Sequence, residues 1–247
     1  MFPIRDDNPH FLTPLVTYGI ITANLATWFF LQDLGTEPAL SSSVCTMGMI
    51  PGEFLDRLPA GFSVPLGDTT CVLGGVSIWH TPLTSMFLHG GWLHLIGNMW
   101  FMWIFGNNVE DSMGHGRFVV FYLLCGLIAA ALQVYSNPDS PVPMIGASGA
   151  IGGVMGAYIV MYPRVRVHMI LFFGFFFIRV VVPASFMLGY WFLIQLAGGA
   201  ADLSGTGGGT AFWAHVGGFA GGAVLILAFR NPELVRRHPH YGLKRRR

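Results

Sequence analysis

The chain has 247 residues, of which 53% are hydrophobic and 10% are charged, and its formal net charge at pH 7 is +1. About a quarter of the residues in a typical soluble domain are charged, so this composition excludes an ordinary soluble protein. No phosphate-binding loop or nucleic-acid motif is present, and no nucleic-acid partner is expected.

Six apolar runs predict six transmembrane helices, because about 20 apolar residues cross a hydrocarbon core of about 30 Å. The predicted fold class is therefore an all-α, polytopic membrane helix bundle. A cleaved signal peptide is the alternative for the first run, but residues 1–10 contain one arginine against two aspartates and no evident small-residue cleavage site. The predicted spans are residues 12–31, 92–105, 118–135, 147–162, 170–196 and 212–229.

Lysine and arginine are concentrated on one side of the predicted bundle, and cytoplasmic loops typically hold such an excess. The other side receives only Arg57. We therefore predict a multi-pass protein of the cell membrane with cytoplasmic termini: an N-terminal segment at 1–11, a membrane domain at 12–229 and a basic tail at 230–247. The basic residues on the predicted inner side are Arg5, Arg117, Arg164, Arg166, Arg230, Arg236, Arg237, Lys244, Arg245, Arg246 and Arg247.

Residues 33–82 form one long connection on the predicted outer side. Residues 50–58 predict a short amphipathic helix, although a partly ordered loop is an equally good interpretation of the whole segment. Cys45 and Cys71 lie here, where an oxidising compartment would permit a disulfide. Spacing alone does not establish the geometry of a bond, so their pairing stays open. Cys125 lies in an apolar span and is interpreted as a small packing residue.

Few polar side chains lie at membrane depth, where a polar group without a partner is costly and is therefore a functional candidate. The predicted spans contain no Asp or Glu beyond the edge of the first. This excludes a carboxylate proton relay and an aspartyl intramembrane protease. The remaining polar candidates are Ser148, His94, Asn98, His215, Gln133, Gln195 and Arg179.

The fourth and sixth spans each have a face made almost entirely of small residues. Ser148 opens one of these faces and His215 opens the other, with glycines following at helical spacing. Such faces let membrane helices approach until their backbones touch. The glycines to which we assign this helix packing are Gly146, Gly149, Gly152, Gly218 and Gly222.

If the two faces pack together, Ser148 and His215 come within hydrogen-bond reach. A neutral imidazole can accept the serine proton and later donate it to the departing amine, which is general-base activation of a nucleophile. The alternative is that the small faces only pack helices and that Ser148 caps the fourth helix.

A third cluster lies at the start of the second span, where His94 and Asn98 project from one helical face. Two neutral donors on one turn can stabilise the oxyanion of a tetrahedral intermediate, and the Ser148 amide can add a third donor. Zinc ligation by His89, His94 and His215 is the alternative, but no HExxH motif or thiolate pair supports it. We therefore expect no metal and no cofactor.

At this point the residues resemble a known family, the rhomboid intramembrane serine proteases. Residues 146–149 (Gly-Ala-Ser-Gly) look like their GxSG nucleophile motif, and residues 214–218 (Ala-His-Val-Gly-Gly) look like their histidine motif on the last helix. The pair at 94 and 98 matches their HxxxN element, and residues 110–118 resemble their ExxxGxxRF stretch. The similarity covers roughly residues 79–229.

The resemblance implies a Ser-His dyad that cleaves transmembrane segments through an acyl-enzyme. Ser148 is then the nucleophile and His215 the general base and acid, while His94, Asn98 and the Ser148 amide stabilise the oxyanion. The expected partners are transmembrane-helix substrates and the lipid bilayer, and the expected site is a wet cavity below the outer surface. The fifth helix and residues 198–210 resemble the mobile gate and cap of the family.

The sequence departs from the family pattern in two places. Some members have an aromatic residue four positions after the serine, stacked on the catalytic imidazole, but Gly152 occupies that position here. Another group must therefore hold His215. The Trp-Arg pair of the family's first loop is Trp79-His80 here, which puts the role of that arginine in doubt. His89 matches a histidine often found before the HxxxN element, with a loop-stabilising role as the preferred interpretation.

Two other functions compete with proteolysis. A non-proteolytic rhomboid-like protein would bind transmembrane helices without cutting them. A channel or transporter would normally have intramembrane charges or a paired repeat, and neither is evident in the sequence. The physiological substrate, the cut site and the oligomeric state are not specified by the sequence, because faces used within a bundle and between subunits look alike.

Overall fold

A computed structural model describes residues 2–67, 69–74, 78–174, 176–203 and 210–238 of the chain. Helices make up most of this structure, and five strands form two small sheets. The helices are α1 Leu15–Ala26, α2 Ala39–Met47, α3 Pro51–Phe54, α4 Thr81–Thr84, α5 Trp92–Met113, α6 His115–Ser136, α7 Ser148–Met161, α8 Ala184–Leu203, α9 Phe212–Phe229 and α10 Pro232–Arg237. The strands are β1 Phe2–Asp6, β2 Ser63–Leu66, β3 Thr69–Val72, β4 Arg166–Phe173 and β5 Phe176–Pro183.

The prediction of an all-α fold is corrected by these strands, and the predicted fifth span is wrong in its first half. Residues 170–183 belong to the antiparallel β4–β5 hairpin, and the helix begins only at Ala184. Apolar content alone does not distinguish a strand from a helix. The valines of β5 favour a strand, and Gly174, with φ +58°, allows the turn.

Three of the described helices, α6, α8 and α9, are long and apolar enough to cross a membrane. Helix α7 and the stretch Leu15–Leu31, which joins α1 to a π-helical turn, are shorter apolar helices. Helix α5 has 22 residues but contains Glu110 and Asp111 in its last turns. These lengths establish a membrane protein, while the number of six spans stays a prediction.

Helix α7 forms the centre of the bundle, where eleven of its fourteen residues are buried. It packs against α5, α6, α8 and α9. Three large aromatic side chains beside it, Phe105, Phe118 and Phe121, are fully buried in the same core. This arrangement leaves α7 almost no contact with lipid.

Two acidic residues at the end of α5 hold the start of α1. Glu110 is fully buried and accepts hydrogen bonds from the Val16 and Thr17 amides at 2.9 and 2.8 Å. Asp111 accepts from the Leu12 amide at 2.7 Å. The first amides of a helix have no intrahelical partner, so these carboxylates satisfy donors that lipid could not.

A three-stranded sheet, in the order β1-β4-β5, lies at the C-terminal end of α7. It joins the N-terminal segment to the bundle, because Asp6 accepts a hydrogen bond from the Tyr158 hydroxyl of α7. Asp7 pairs with His168 of β4 at 2.9 Å. The predicted segment 1–11 is therefore part of the fold, and residues 239–247 of the predicted tail lie outside the described residues.

The segment 33–82 is folded in its described part and is not a simple loop. It contains α2, α3, the β2–β3 hairpin and a small core of Ile50, Val64, Cys71 and Leu73. The structure joins Cys45 to Cys71 in a disulfide with a Cα–Cα distance of 5.5 Å. Only Pro51–Phe54 of the predicted 50–58 helix is helical. The free Cys125 is buried, as a packing residue would be.

Candidate active site

The seam between α7 and α9 is a backbone contact made possible by glycine. A Cβ atom at Gly218 would overlap the carbonyl of Gly149, and one at Gly222 would overlap the carbonyl of Gly153. A Cβ at Gly152 would lie 3.1 Å from the His215 carbonyl oxygen. These close approaches hold the two helices at a separation that no larger side chain permits.

Gly146 has a different role from the packing role predicted for it. Its φ is +115°, a conformation that favours glycine, and it precedes α7 without facing α9. A Cβ at this position would lie 2.6 Å from Nε2 of His94 and 3.5 Å from Nδ2 of Asn98. The absence of a side chain at Gly146 therefore leaves space in front of two polar groups of α5.

The structure brings the side chains of Ser148 and His215 together, with 2.7 Å between the serine Oγ and the imidazole Nε2. Ser148 is the first residue of α7 and His215 lies in the first turn of α9. The cap position of α7 is Ala147, with no side-chain capping bond, so the serine hydroxyl is not used as a helix cap. The hydroxyl and the imidazole can share a proton.

Gln195 of α8 contacts the second ring nitrogen of the His215 imidazole. Its Oε1 lies 2.8 Å from Nδ1 of His215, and its Nε2 donates to the Trp191 carbonyl at 3.3 Å. The Trp191 ring lies 5.7 Å from the imidazole ring, between centroids. The sequence marked Gln195 as a polar residue in an apolar span but assigned it no role. Gln195 and Trp191 therefore contact His215 in place of the aromatic ring that some family members have at the position of Gly152.

His94 and Asn98 line the same cavity as Ser148 and His215. The Gly90 amide donates to Nδ1 of His94 at 3.4 Å, so Nε2 of that ring carries the proton and faces the space beside Gly146. Asn98 is 8% exposed, and within the described part of the chain its Nδ2 has no acceptor. A buried donor without a partner is rare, and here it points to a bound oxygen atom.

The cavity has a volume of about 560 Å³ and reaches the molecular surface at Leu93, which is 88% exposed. Apolar side chains form much of the remaining wall. A polypeptide segment can therefore reach the hydroxyl of Ser148. The other lining residues are Gly97, Phe101, Pro143, Met144, Ile145, Ile151, Met155, Trp191, Thr210 and Ala211.

His89 is fully buried and does not line the cavity. The Gln32 side chain pairs with its backbone, accepting from the amide at 2.9 Å and donating to the carbonyl at 2.8 Å. Its ring packs edge-on against His94 at 5.0 Å between centroids. No group of three His, Cys, Asp or Glu side chains among the described residues is arranged to hold a metal ion.

Comparison with known proteins places these elements in one family. Residues 77–232 match the family model described as the rhomboid domain. The chain is 33% identical to the Rhomboid protease GluP of Bacillus subtilis over 155 residues, which cover 63% of this chain and 27% of that protein. It is 30% identical to RHOMBOID-like protein 4 of Arabidopsis thaliana, over 71% of this chain and 38% of that protein.

Another relative is the RHOMBOID-like protein 6, mitochondrial, of Arabidopsis thaliana, which is 33% identical over 56% of this chain and 40% of that protein. The matched part of each of these three relatives is therefore about a quarter to two fifths of its length. The matched region of this chain contains α5 to α9 and every candidate residue of the site. The chain belongs to the rhomboid family.

Proposed function

We propose that this chain is an intramembrane serine endopeptidase that cleaves transmembrane segments of other membrane proteins. The observation that supports this most directly is the 2.7 Å contact between Ser148 Oγ and His215 Nε2 in the wall of an accessible cavity. Rhomboid relatives include named proteases, which supports the reaction class for the family.

In the proposed reaction, Oγ of Ser148 attacks the carbonyl carbon of the scissile peptide bond while Nε2 of His215 accepts its proton. The tetrahedral intermediate collapses as the C–N bond breaks, and the imidazolium gives the proton to the departing amine. The product is an ester of Ser148. Water then attacks that ester, His215 takes the proton from the water, and the proton returns to Ser148 as the acid product leaves.

The oxyanion of each tetrahedral intermediate is proposed to lie in the space beside Gly146. Three donors border that space: Nε2–H of His94, Nδ2–H of Asn98 and the amide of Ser148 at the start of α7. The unpartnered amide of Asn98 supports this assignment, since an oxyanion would supply its missing acceptor. Such preorganised donors are worth about 3–4 kcal/mol each in the transition state.

A second, small cavity next to Ser148 supports a preference for a small residue at the cleaved bond. Its volume is about 20 Å³, and small residues form much of its wall. An alanine or serine side chain fits this volume better than a leucine. The small residues are Gly126, Ala129, Gly146, Gly149, Ala150, Ala211 and Ala214.

We propose six spans, with α1, α5, α6, α7, α8 and α9 crossing the bilayer in a domain of about 12–229. The sheet with Arg5 and Arg166 and the C-terminal α10 with Arg236 and Arg237 then lie on the cytoplasmic side of the cell membrane. Ser148 lies at the opposite end of α7, about 20 Å away at 1.5 Å per residue. The site would accordingly be reached from the outer side.

The test is cleavage of a single-span model substrate by the purified protein in liposomes. We expect wild type and Ser185→Ala to cleave it and Ser148→Ala to leave it intact, since the Ser185 amide bonds to Pro163 just beyond the other end of α7. Equal cleavage by wild type and Ser148→Ala refutes the nucleophile. Binding of the substrate by folded wild type with no cleavage favours the non-proteolytic, helix-binding alternative.

A further inference from the structure

We propose that Gln195 is a positioning residue that selects the reactive tautomer of His215. Ser148, His215 and Gln195, from three helices, then form one chain of hydrogen bonds. This inference rests on the proposed function of Ser148 and His215. Gln195 is 7% exposed and its Oε1 lies 2.8 Å from Nδ1 of the imidazole. A side-chain carbonyl oxygen only accepts hydrogen bonds, so Nδ1 must be the protonated nitrogen.

The orientation of the Gln195 amide is fixed by its second contact. Its NH2 group donates to the Trp191 carbonyl one helical turn earlier, at 3.3 Å. A reversed amide would place its oxygen against the Trp191 carbonyl oxygen, where no hydrogen bond can form. With Nδ1 protonated, the lone pair of Nε2 faces the Ser148 hydroxyl, which is the arrangement that proton transfer from the serine requires.

A glutamine suits this position because it is neutral. Serine proteases with an aspartate in the equivalent role bury a negative charge beside the imidazole. A charge at membrane depth is costly, and an amide provides the same acceptor without that cost. Among the described residues, the hydrogen-bond partners of His215 include no carboxylate, since Asp202 in the last turn of α8 accepts from Asn137 instead.

Because Gln195 lies on α8, its hydrogen bond with His215 depends on the position of that helix. In the C-terminal half of α8 only Gln195 and Gly199 are buried, whereas neighbouring Leu193 is 62% exposed. Ser148 and His215 stay together through the α7–α9 seam if α8 moves. A displaced α8 would therefore leave the dyad in contact but free its imidazole to adopt the unreactive tautomer.

The test compares Gln195→Leu, Gln195→Glu and the exposed control Leu193→Ala. We expect Gln195→Leu to lower kcat for a transmembrane substrate by roughly 10- to 100-fold with little change in KM. Gln195→Glu restores an acceptor and should recover at least tenfold of that loss. An unchanged kcat in the leucine variant, or an equal loss in Leu193→Ala, would overturn the proposal.

A readout that does not need activity separates this proposal from the proposed function. The ¹⁵N shifts of a labelled His215 ring report which nitrogen is protonated. We expect protonated Nδ1 in Ser148→Ala and a mixture of tautomers in Ser148→Ala/Gln195→Leu. If the two proteins show the same tautomer, Gln195 does not select it, whether or not the wild type is a protease.

A second inference comes from the β4–β5 hairpin, which we infer lies along the cytoplasmic membrane surface with one face against lipid. Strand pairing places Val167 opposite Val182, Met169 opposite Val180 and Leu171 opposite Ile178 on a single apolar face. The opposite face is mixed, with His168 opposite Val181, Ile170 opposite Arg179 and an exposed Phe177. The two faces therefore differ in charge, because the basic residues lie on only one of them.

The bundle covers only the first half of the apolar face. Val167 and Met169 are at most 2% exposed, whereas further along the same face Ile178 is 47% and Phe176 is 75% exposed. Exposed apolar side chains of this size mark an interaction surface. The face must meet another apolar medium beyond the edge of the bundle.

The residues around the hairpin favour lipid as the medium that covers its exposed apolar face. The hairpin leads directly into α8, whose first turns expose Phe186 and Tyr190 on the membrane domain, so the apolar surface is continuous. Arg166 and Arg179 are exposed on the other face and complement anionic headgroups. Strand β5 is an edge strand, and its unpaired backbone places the hairpin at the headgroup level and not in the hydrocarbon core.

The test uses nitroxide labels on cysteines introduced at position 178 of the apolar face and position 181 of the opposite face. The protein is reconstituted in vesicles of phosphatidylcholine and phosphatidylglycerol, the second lipid supplying the anionic headgroups. We expect the label on Ile178→Cys to collide with oxygen and that on Val181→Cys with an aqueous nickel chelate. Equal access of the chelate to both labels would overturn the inference.

Discussion

The α7–α9 seam and helix α8 hold the proposed site in opposite ways. Eleven of the fourteen residues of α7 are buried, but only five of the twenty residues of α8 are. The seam is a contact between backbones, with glycines at each crossing. Helix α8 instead touches α9 through side chains, including a stack of Phe192 on Phe219 at 4.6 Å between ring centroids.

This difference separates the fixed part of the site from its adjustable part. The proposed nucleophile and its proposed base lie on the two helices that cannot separate without losing backbone contact. The proposed acceptor for that base, Gln195, lies on α8, which has fewer buried residues than α5, α7 or α9. Moving α8 aside to admit the proposed substrate would lose less packing than separating α7 from α9.

The largest expected effect on stability comes from widening the seam, and activity falls with it. Gly222→Ala places a Cβ on the Gly153 carbonyl, whereas Gly189→Ala of α8 places one where no atom lies within 4 Å. We expect Gly222→Ala to lower the free energy of unfolding by about 1–3 kcal/mol and activity by about 100-fold, because the dyad is displaced. Thermal unfolding and substrate cleavage measure the two effects. Similar losses in both variants would contradict the fixed seam.

The next effect belongs to α5, which is part of the fixed region. Asn98→Ala removes the unpartnered donor, and we expect kcat to fall by about 100- to 1,000-fold with little change in KM. Asn107→Ala, at an exposed hydrogen bond on the same helix, is the control. An Asn98→Ala enzyme with wild-type kcat would remove this side chain from the oxyanion site.

A smaller and opposite effect is expected from loosening α8. Phe192→Ala removes the stack on Phe219 while leaving Gln195 in place. We expect a loss of about 1 kcal/mol in stability and a few-fold faster cleavage of a transmembrane substrate, because less packing is lost when α8 moves. Labelling by a small serine-reactive probe, which needs no movement of α8, should change less. Slower cleavage with unchanged labelling would argue against entry beside α8.

The smallest effect tests the C-terminal end of α7, where Tyr158 donates to Asp6. Burial raises the pKa of Asp6 to about 6, so the folded protein holds a proton that the unfolded chain has released between pH 4 and 6. Stability therefore falls as pH rises through this window. Asp6→Asn has no carboxyl group to ionise and should not lose this stability. The difference in thermal stability between Asp6→Asn and wild type should therefore favour the variant more at pH 7.5 than at pH 4.

Asp7→Asn is the matched control for that measurement, because the pKa of Asp7 is shifted in the opposite direction. A hydrogen bond from His168 lowers the pKa of Asp7, so its contribution is present above pH 4 and lost in acid. Its removal should therefore reduce stability by a similar amount at pH 7.5 and at pH 4, and by less only below pH 4. The account of Asp6 is wrong if both variants show the same pH dependence.

The part of the fold that the sequence predicted is the part with helical periodicity and length. The glycine spacing in α7 and α9 indicated a close contact, because only glycine permits one. The β4–β5 hairpin was missed because residues 170–183 are as apolar as a helix, and the alternation along β4 is hidden by apolar residues on both faces. The folded segment 33–82 depends on long-range packing and a disulfide that local patterns do not specify.

Site residues could be predicted from the sequence where they belong to motifs. They could not be predicted where only the tertiary fold brings them to the site. Ser148, His215, His94 and Asn98 were chosen from spacing and chemistry, and all four line one cavity. The partner of His215 could not be chosen, since nothing in the sequence says that position 195 of a separate helix faces the imidazole. A lone amide in an apolar span was the only signal available for Gln195.

The most direct measurement of the central claim is labelling by a fluorophosphonate probe, with the modified residue identified by mass spectrometry. In folded protein reconstituted in lipid, the proposed dyad predicts a single adduct on Ser148 and none in Ser148→Ala or His215→Ala. An adduct formed equally well in His215→Ala, or a folded wild type that never reacts at Ser148, would contradict it.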